Sequence, residues 1–316
     1  MRHRRWKDIL AIVSIVFLLP YVVTVLVSGF QEKQEDTFPV AGKTIKIEEN
    51  GIIEELDRER YLIGVLAAQI PIHYEIETIK AQAVIARTFF IKHEMSGTTI
   101  QKDKAQQEYL SAAGMKELWG NIQFKSNYEK LARAVEETSG EMITYQGSPI
   151  EPSFHAVSAG ATRDGAAVFG NDTYPYLKSK TNEKDMQAQN YVTITALDRS
   201  QVQEIIRKNY GEESAASMGD SLLACFEILE KDSAGYVTKI KVNGETVGGE
   251  QFRKHFSLPS ACFELEELEG NLRIVCKGLG HGFGMSLYGA NQLAKEGKSY
   301  QDILRYYFEN IDISKE

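Results

Sequence analysis

Gln69-Ile-Pro-Ile-His-Tyr-Glu-Ile-Glu-Thr-Ile-Lys-Ala-Gln-Ala-Val-Ile-Ala-Arg-Thr88 is the stretch on which the reading of this chain turns. Ile76, Ile79, Ala83, Ala86 and Phe90 recur at the three- and four-residue spacing of one helix face, so a helix is predicted from Glu75 to about Glu94. Glu75 and Glu77 fall in its first turn, where carboxylates suit the positive end of the helix dipole. Lys80 and Arg87 lie two turns apart on a different face. Just upstream, Asp57 is placed to cap a helix that begins at Arg58.

Outward from that helix, the signals alternate between strand and helix. Lys43 to Ile47 reads as a strand with a turn at Asn50-Gly51. Residues 97–114 are polar without a clear period, and Asn127–Ser139 reads as a helix closed by Gly140. A hairpin is predicted around Gln146-Gly147. The Gly-, Asn- and Asp-rich residues 160–190 read as a long surface loop, a kind of segment that often carries function. Ser200–Tyr210 reads as helix, Asn243-Gly244 as the turn of a second hairpin, and Glu250–Phe256 as a short helix. A third hairpin is predicted over Phe263–Cys276, followed by helices at Tyr288–Glu296 and Tyr300–Phe308. No βαβ period or repeat appears, so the fold class expected is α+β: a mixed, mostly antiparallel sheet with packed helices, preceded by one transmembrane helix.

The membrane expectation rests on residues 9–30, which are apolar apart from Ser14, Thr24 and Ser28. A run of about 20 such residues spans a bilayer core and exceeds a secretory h-region. Val27-Ser28-Gly29 is a poor cleavage match, so an uncleaved anchor is favoured over a signal peptide. Arg2, Arg4, Arg5 and Lys7 would stay cytoplasmic. The organisation expected is a cytoplasmic tail at 1–8, a transmembrane helix at 9–30, a stalk at 31–42 and an extracytoplasmic domain at 43–316. The first thirty residues carry four cations against one acid, so the rest of the chain holds −11 of a total of −8. That acidity argues against nucleic-acid binding, which needs cations for phosphates. Three cysteines are too few for a disulfide framework, although Cys262 and Cys276 flank the third hairpin and could bond in an oxidising compartment; buried free thiols are the plainer alternative.

Four segments carry a resemblance. They are Val65-Leu-Ala-Ala-Gln-Ile-Pro71 through Arg87-Thr88, Phe154-His-Ala-Val-Ser-Ala-Gly-Ala-Thr162, Tyr174-Pro-Tyr-Leu-Lys-Ser179, and Gly278 to Ala290 with its Gly280-His-Gly-Phe-Gly-Met-Ser286 core. Together they resemble the stage II sporulation protein D family, over about Lys43 to the last residue. The resemblance implies a membrane-anchored lytic transglycosylase that cleaves peptidoglycan glycan strands during endospore engulfment. It would lie in the space between mother cell and forespore, with stage II sporulation proteins P (an amidase) and M as partners. No cofactor is implied. Some relatives bind zinc in the region aligned with residues 100–110, but here that region has no His or Cys, so no metal is expected. Two more positions depart from the pattern: Gln69 stands where the family usually has a glutamate, its presumed catalytic acid, and Leu287 where it usually has a glutamine.

The chemistry needs one acid at the glycosidic oxygen, which then takes the proton of the muramic C6 hydroxyl as a 1,6-anhydro ring closes. An amide cannot supply that proton, which leaves three readings for Gln69. Glu75 or Glu77 replaces the acid; or cleavage is slow and rests on binding alone; or the protein is a glycan-binding scaffold for a partner amidase. The candidate substrate-binding residues are Lys80, Arg87, His155, Ser158, His281, Ser286 and Tyr288, each also readable as ordinary structure. Tyr174, Tyr176 and Tyr288 are candidates for stacking on sugar rings. A Ser–His nucleophile is a remote third class, since no Gly-x-Ser-x-Gly elbow is present.

Overall fold

Asp57 ends a strand and starts a helix. In a computed structural model, which describes residues 43–49, 51–101 and 108–316, β1 (Thr44–Glu49) and β2 (Ile52–Asp57) form an antiparallel hairpin. The Asp57 carboxylate then accepts the Arg60 N–H at 2.7 Å and caps α1 (Arg58–Gln69). Pro71 disfavours helical backbone at the residue before it, and Ile70 is extended, so Gln69 is the last helical residue. α2 (Ile76–Met95) is buried almost without interruption from Thr78 to Ile91, Lys80 excepted. The apolar stripe predicted one buried face; small residues at Ala81, Ala83 and Ala86 let neighbours close over the others as well. After β3 (Ile100–Gln101), which pairs parallel with β1, α3 (Ala112–Glu137) starts well before the expected Asn127. Ser111 caps it, Gly120 breaks it with a positive φ of 72°, and Leu118 and Ile122 are exposed, so that half has no apolar stripe to read.

β4 (Glu141–Tyr145) and β5 (Ser148–Pro149) form the predicted Gln146-Gly147 hairpin. β4 is tied to α2 where the Ile143 N–H donates to the Thr88 hydroxyl at 2.9 Å. Beyond β6 (Phe154–His155), the expected loop of residues 160–190 is more ordered than its composition suggests. It holds α4 (Gly165–Phe169), a single 3-10 turn at Glu183–Gln187, and the wholly buried Asp185.

β7 (Val192–Leu197), α5 (Arg199–Tyr210), α6 (Glu212–Ala216), β8 (Phe226–Lys231), β9 (Val237–Val242), β10 (Glu245–Gly248), α7 (Gly249–His255), β11 (Phe263–Leu268) and β12 (Asn271–Lys277) make a lobe with its own core. Val202, Ile206, Ile240, Phe252, Phe256 and Ile274 are at its centre, between the sheets β11-β12-β7 and β10-β9-β8. The chain enters and leaves this lobe at one hydrogen bond, from the Gly278 N–H to the Tyr191 carbonyl at 2.7 Å. Cys276 stands opposite Phe263, one position out of register with Cys262, and both thiols are free and buried; the disulfide does not form. Burial pushes the Cys276 thiol up to about 11.

β13 (Met285–Ser286) returns to pair parallel with β6, placing Ser286 beside His155. α8 (Leu287–Lys295) and α9 (Tyr300–Tyr307) pack on α2, and β14 (Asp312–Lys315) adds to the far edge of β4. The class is α+β with mostly antiparallel pairing, spread among the described residues over small sheets rather than one large one. The predicted tail, transmembrane helix and stalk (residues 1–42) lie outside the described residues. Among the described residues no helix is long and apolar enough to cross a membrane.

Candidate functional site

Gln69 is half-buried at the end of α1, and its carbonyl oxygen accepts the Gln82 amide at 2.7 Å. The turn that follows is fixed from below: Lys130 on α3 donates to the carbonyls of Ile72 (2.8 Å) and Tyr74 (2.6 Å). Burial holds the Lys130 amine below its ordinary range, against the opposing pull of Glu75. Glu75 is exposed; its N–H donates to the Asn291 side chain on α8 at 2.9 Å and its carboxylate makes no capping bond.

Three other candidates on α2 have structural partners. Glu77 takes Lys80 on one oxygen at 2.7 Å and the Tyr300 N–H at the start of α9 on the other at 2.8 Å. Lys80 also pairs with Glu137 at 2.5 Å. Arg87 is fully buried, its guanidinium forked onto Glu59 at 2.7–3.1 Å, with further bonds to the Val135 and Glu141 carbonyls and the Thr138 hydroxyl. None of its donors faces a cleft. These residues hold the helices together.

The second half of the site is built on the β6–β13 pairing. Ser286 caps α8 by accepting the Gly289 N–H at 3.2 Å, and donates its own proton to Asp185 at 2.7 Å. The same Asp185 oxygen accepts the Ser158 N–H at 2.7 Å. Asp185 thus joins two of the segments singled out in the sequence, yet nothing in its immediate sequence marks it. Burial pushes its carboxyl above the ordinary range, partly offset by the donors from Ser286 and Ser158. Tyr288 is half-buried at the start of α8, its N–H bonded to the Ala156 carbonyl at 3.1 Å. Burial raises the Tyr74 phenol, with Tyr288 and Asp185 as lesser causes, and the loop after Gln69 is connected to α8. Asn291 makes that connection by hydrogen bonds to Glu75 and Thr78.

The histidines serve a neighbouring feature. His155 donates from Nδ1 to the Phe283 carbonyl at 3.0 Å, and His281 Nδ1 accepts the Phe283 N–H at 3.1 Å. Burial drives His155 down to about 3, with His281 a lesser cause, so it is neutral at any physiological pH. Since Ser286 donates to Asp185, both Nδ1 atoms are committed to Phe283, and the Ser158 hydroxyl and His155 Nε2 are each buried without a hydrogen-bond partner, the site is not assembled as a Ser–His nucleophile pair. Arg163, which sequence reasoning missed, pins this turn: its N–H donates to the Gly282 carbonyl at 2.8 Å and its guanidinium to the His281 carbonyl at 3.2 Å.

A profile of stage II sporulation proteins matches residues 46–145, from β1 through β4. The chain is 32% identical to stage II sporulation protein D of Bacillus subtilis over 274 residues, covering 84% of this chain and 77% of the relative. The corresponding protein of Bacillus amyloliquefaciens is 31% identical over 84% of this chain and 76% of its own length. This chain belongs to the stage II sporulation protein D family. A more distant similarity, 26% identity, links it to the amidase enhancer of Bacillus subtilis, covering 78% of this chain and 39% of that longer protein. For this member of the stage II sporulation protein D family, the profile match takes in both Gln69 and the helix α2 that packs behind it.

Proposed function

We propose that this protein binds peptidoglycan glycan strands in the wall of the sporulating cell and supports a separate cell-wall enzyme there. The Gln69–Gln82 pair carries the reading. An amide occupies the position where the resemblance implies a glutamate, and its oxygen already accepts a hydrogen bond. An amide yields no proton at neutral pH, while the loop after Gln69 stays tied to the start of α8 through Asn291. The supporting role is suggested by the relative named amidase enhancer. On the family resemblance, the partner is the amidase stage II sporulation protein P, with stage II sporulation protein M, and residues 9–30 anchor the domain outside the cytoplasm.

A second reading is strand cleavage as a lytic transglycosylase, leaving 1,6-anhydro-muramic ends. Glu75 favours it, being an exposed carboxylate without a capping bond at the end of the Gln69 turn. Incubation with peptide-free glycan strands, read by mass spectrometry for anhydro ends, separates the two. Strand binding without anhydro product, with product appearing in Gln69→Glu, is the expected result. Product from the unaltered protein that disappears in Glu75→Ala would replace the binding reading with the enzymatic one.

A further inference from the structure

A cavity lies against Phe283 of the Gly280–Gly284 turn. It encloses about 280 Å³ and is walled by Phe169, Tyr174, Leu177 and Phe283, with Glu151 and Ser153 at its polar side. Phe169 stacks on Phe283 with ring centroids 5.1 Å apart and meets Tyr174 edge-on at 5.3 Å. Phe169 is nonetheless 46% exposed, unusual for a ring in an aromatic cluster. Gly170 ends the helix directly after it in a left-handed conformation, which fixes where the ring is presented. Phe283 is held on both sides of its backbone by His155 and His281. The wall is therefore rigid, and the two histidines act as its supports.

We propose that this cavity is a sugar subsite, taking one N-acetylglucosamine ring of the glycan strand against Phe169 and Tyr174 with a ring hydroxyl donating to Glu151. The inference rests on the glycan-binding reading and adds a place to it. The choice of a neutral sugar over a cation follows from Glu151. An aromatic cage with a free carboxylate suits an ammonium group. Here, however, Lys92 pairs with Glu151 at 2.8 Å, which offsets the carboxylate's charge and leaves its lone pairs as acceptors. The Glu151 N–H donates to the Tyr176 hydroxyl at 2.8 Å, so the residue's backbone is fixed as well. Aromatic faces bind pyranose C–H bonds through dispersion, which calls for no charge.

The test is calorimetric titration of the full chain with a peptide-free tetrasaccharide of alternating N-acetylglucosamine and N-acetylmuramic acid. Phe169→Ala, Phe169→Trp and Tyr288→Ala are titrated alongside, with folding of each checked by circular dichroism. The expected result is that Phe169→Ala weakens binding about tenfold while Phe169→Trp keeps it, a tenfold change being about 1.4 kcal/mol. Weakening by Tyr288→Ala with none from Phe169→Ala would overturn the subsite and leave the glycan reading standing. Absence of binding by the unaltered chain would overturn both. Competition by a simple alkylammonium would overturn the neutral-sugar assignment.

Discussion

Asp185 commits one oxygen to two donors, and its other oxygen is buried without a partner. Burial disfavours the charged form, so its folded pKa is raised. Charge at Asp185 therefore opposes folding above the unfolded pKa, and that penalty is relieved as pH falls. Asp185→Asn keeps an acceptor for Ser286 and Ser158, and is expected to cost under about 1 kcal/mol at pH 7; Asp185→Ala strands the Ser158 N–H and is expected to cost about 2–3 kcal/mol. Urea denaturation of the two variants checks this. His155 acts in the opposite sense. Its folded value of about 3 lies below its ordinary 6.5. The unfolded chain therefore binds the proton first as pH falls: the contribution is complete above about 6.5 and is lost below it, by at most about 1.4 kcal/mol per pH unit. The melting temperature is expected to fall between pH 7 and pH 5, and His155→Asn to flatten that fall. Gly289 marks a close approach, since a Cβ there would lie 2.9 Å from the unpartnered Asp185 oxygen and closer still to the Tyr307 hydroxyl. Gly289→Ala is expected to lower the melting temperature without touching the cleft surface.

At the scale of elements, α2 was the most legible part of the chain, and also the most misleading about roles. Its period predicted the helix to within a residue or two. What the period could not convey is that the helix is enclosed by α1, α3, α8, α9 and β4, so that charges on it meet protein instead of ligand. Arg87 is the clearest case. Arg87→Ala would leave Glu59, 14% exposed, with only the more distant Arg58 at 3.7 Å, and is expected to cost about 3 kcal/mol, whereas replacing Arg87 and Glu59 together by Met and Leu should recover most of it. Glycan affinity of the folded fraction, measured in the cold, should stay unchanged in both. Hairpins were legible for a local reason: Asn243-Gly244 and Gln146-Gly147 supply the positive φ their turns require. Residues 160–190 were not, because polar, Gly-rich composition says nothing about which side chain will be buried. Asp185 gains its importance from Ser158 and Ser286, remote in sequence and brought together only by the β6–β13 pairing.

At the scale of the molecule, the lobe from Val192 to Lys277 backs the Gly-His-Gly turn at several points: the Gly280 N–H donates to the Pro259 carbonyl at 2.9 Å, Ser260 bridges to Gly280, the Tyr236 hydroxyl accepts the Ala159 N–H at 3.1 Å, and Arg163 reaches across from the other side. Arg163 pairs with Asp232 at 2.6 Å and Glu250 at 3.0 Å, both in the lobe, and lies between the rings of Tyr236 and Phe283 at 4.9 and 4.6 Å. Arg163→Met is expected to destabilise by about 3 kcal/mol, because the nearly buried Asp232 loses its counter-charge and keeps only the Ala234 and Tyr236 N–H donors. Hydrogen exchange at residues 280–284 should rise at the same time, which a loss confined to the lobe would not cause.

The bond between Tyr191 and Gly278 has a consequence for how such proteins diversify. A module whose two ends meet at neighbouring backbone positions can be lengthened or shortened at its far edge without moving the segments on either side of the junction, provided the contacts that Tyr236, Pro259 and Ser260 make outside it are kept. Divergence among relatives should concentrate at the far edge of that cassette, and a chimera spliced at Tyr191 and Gly278 should fold wherever the incoming piece supplies a counter-charge for Arg163 and partners for the Ala159 and Gly280 N–H groups.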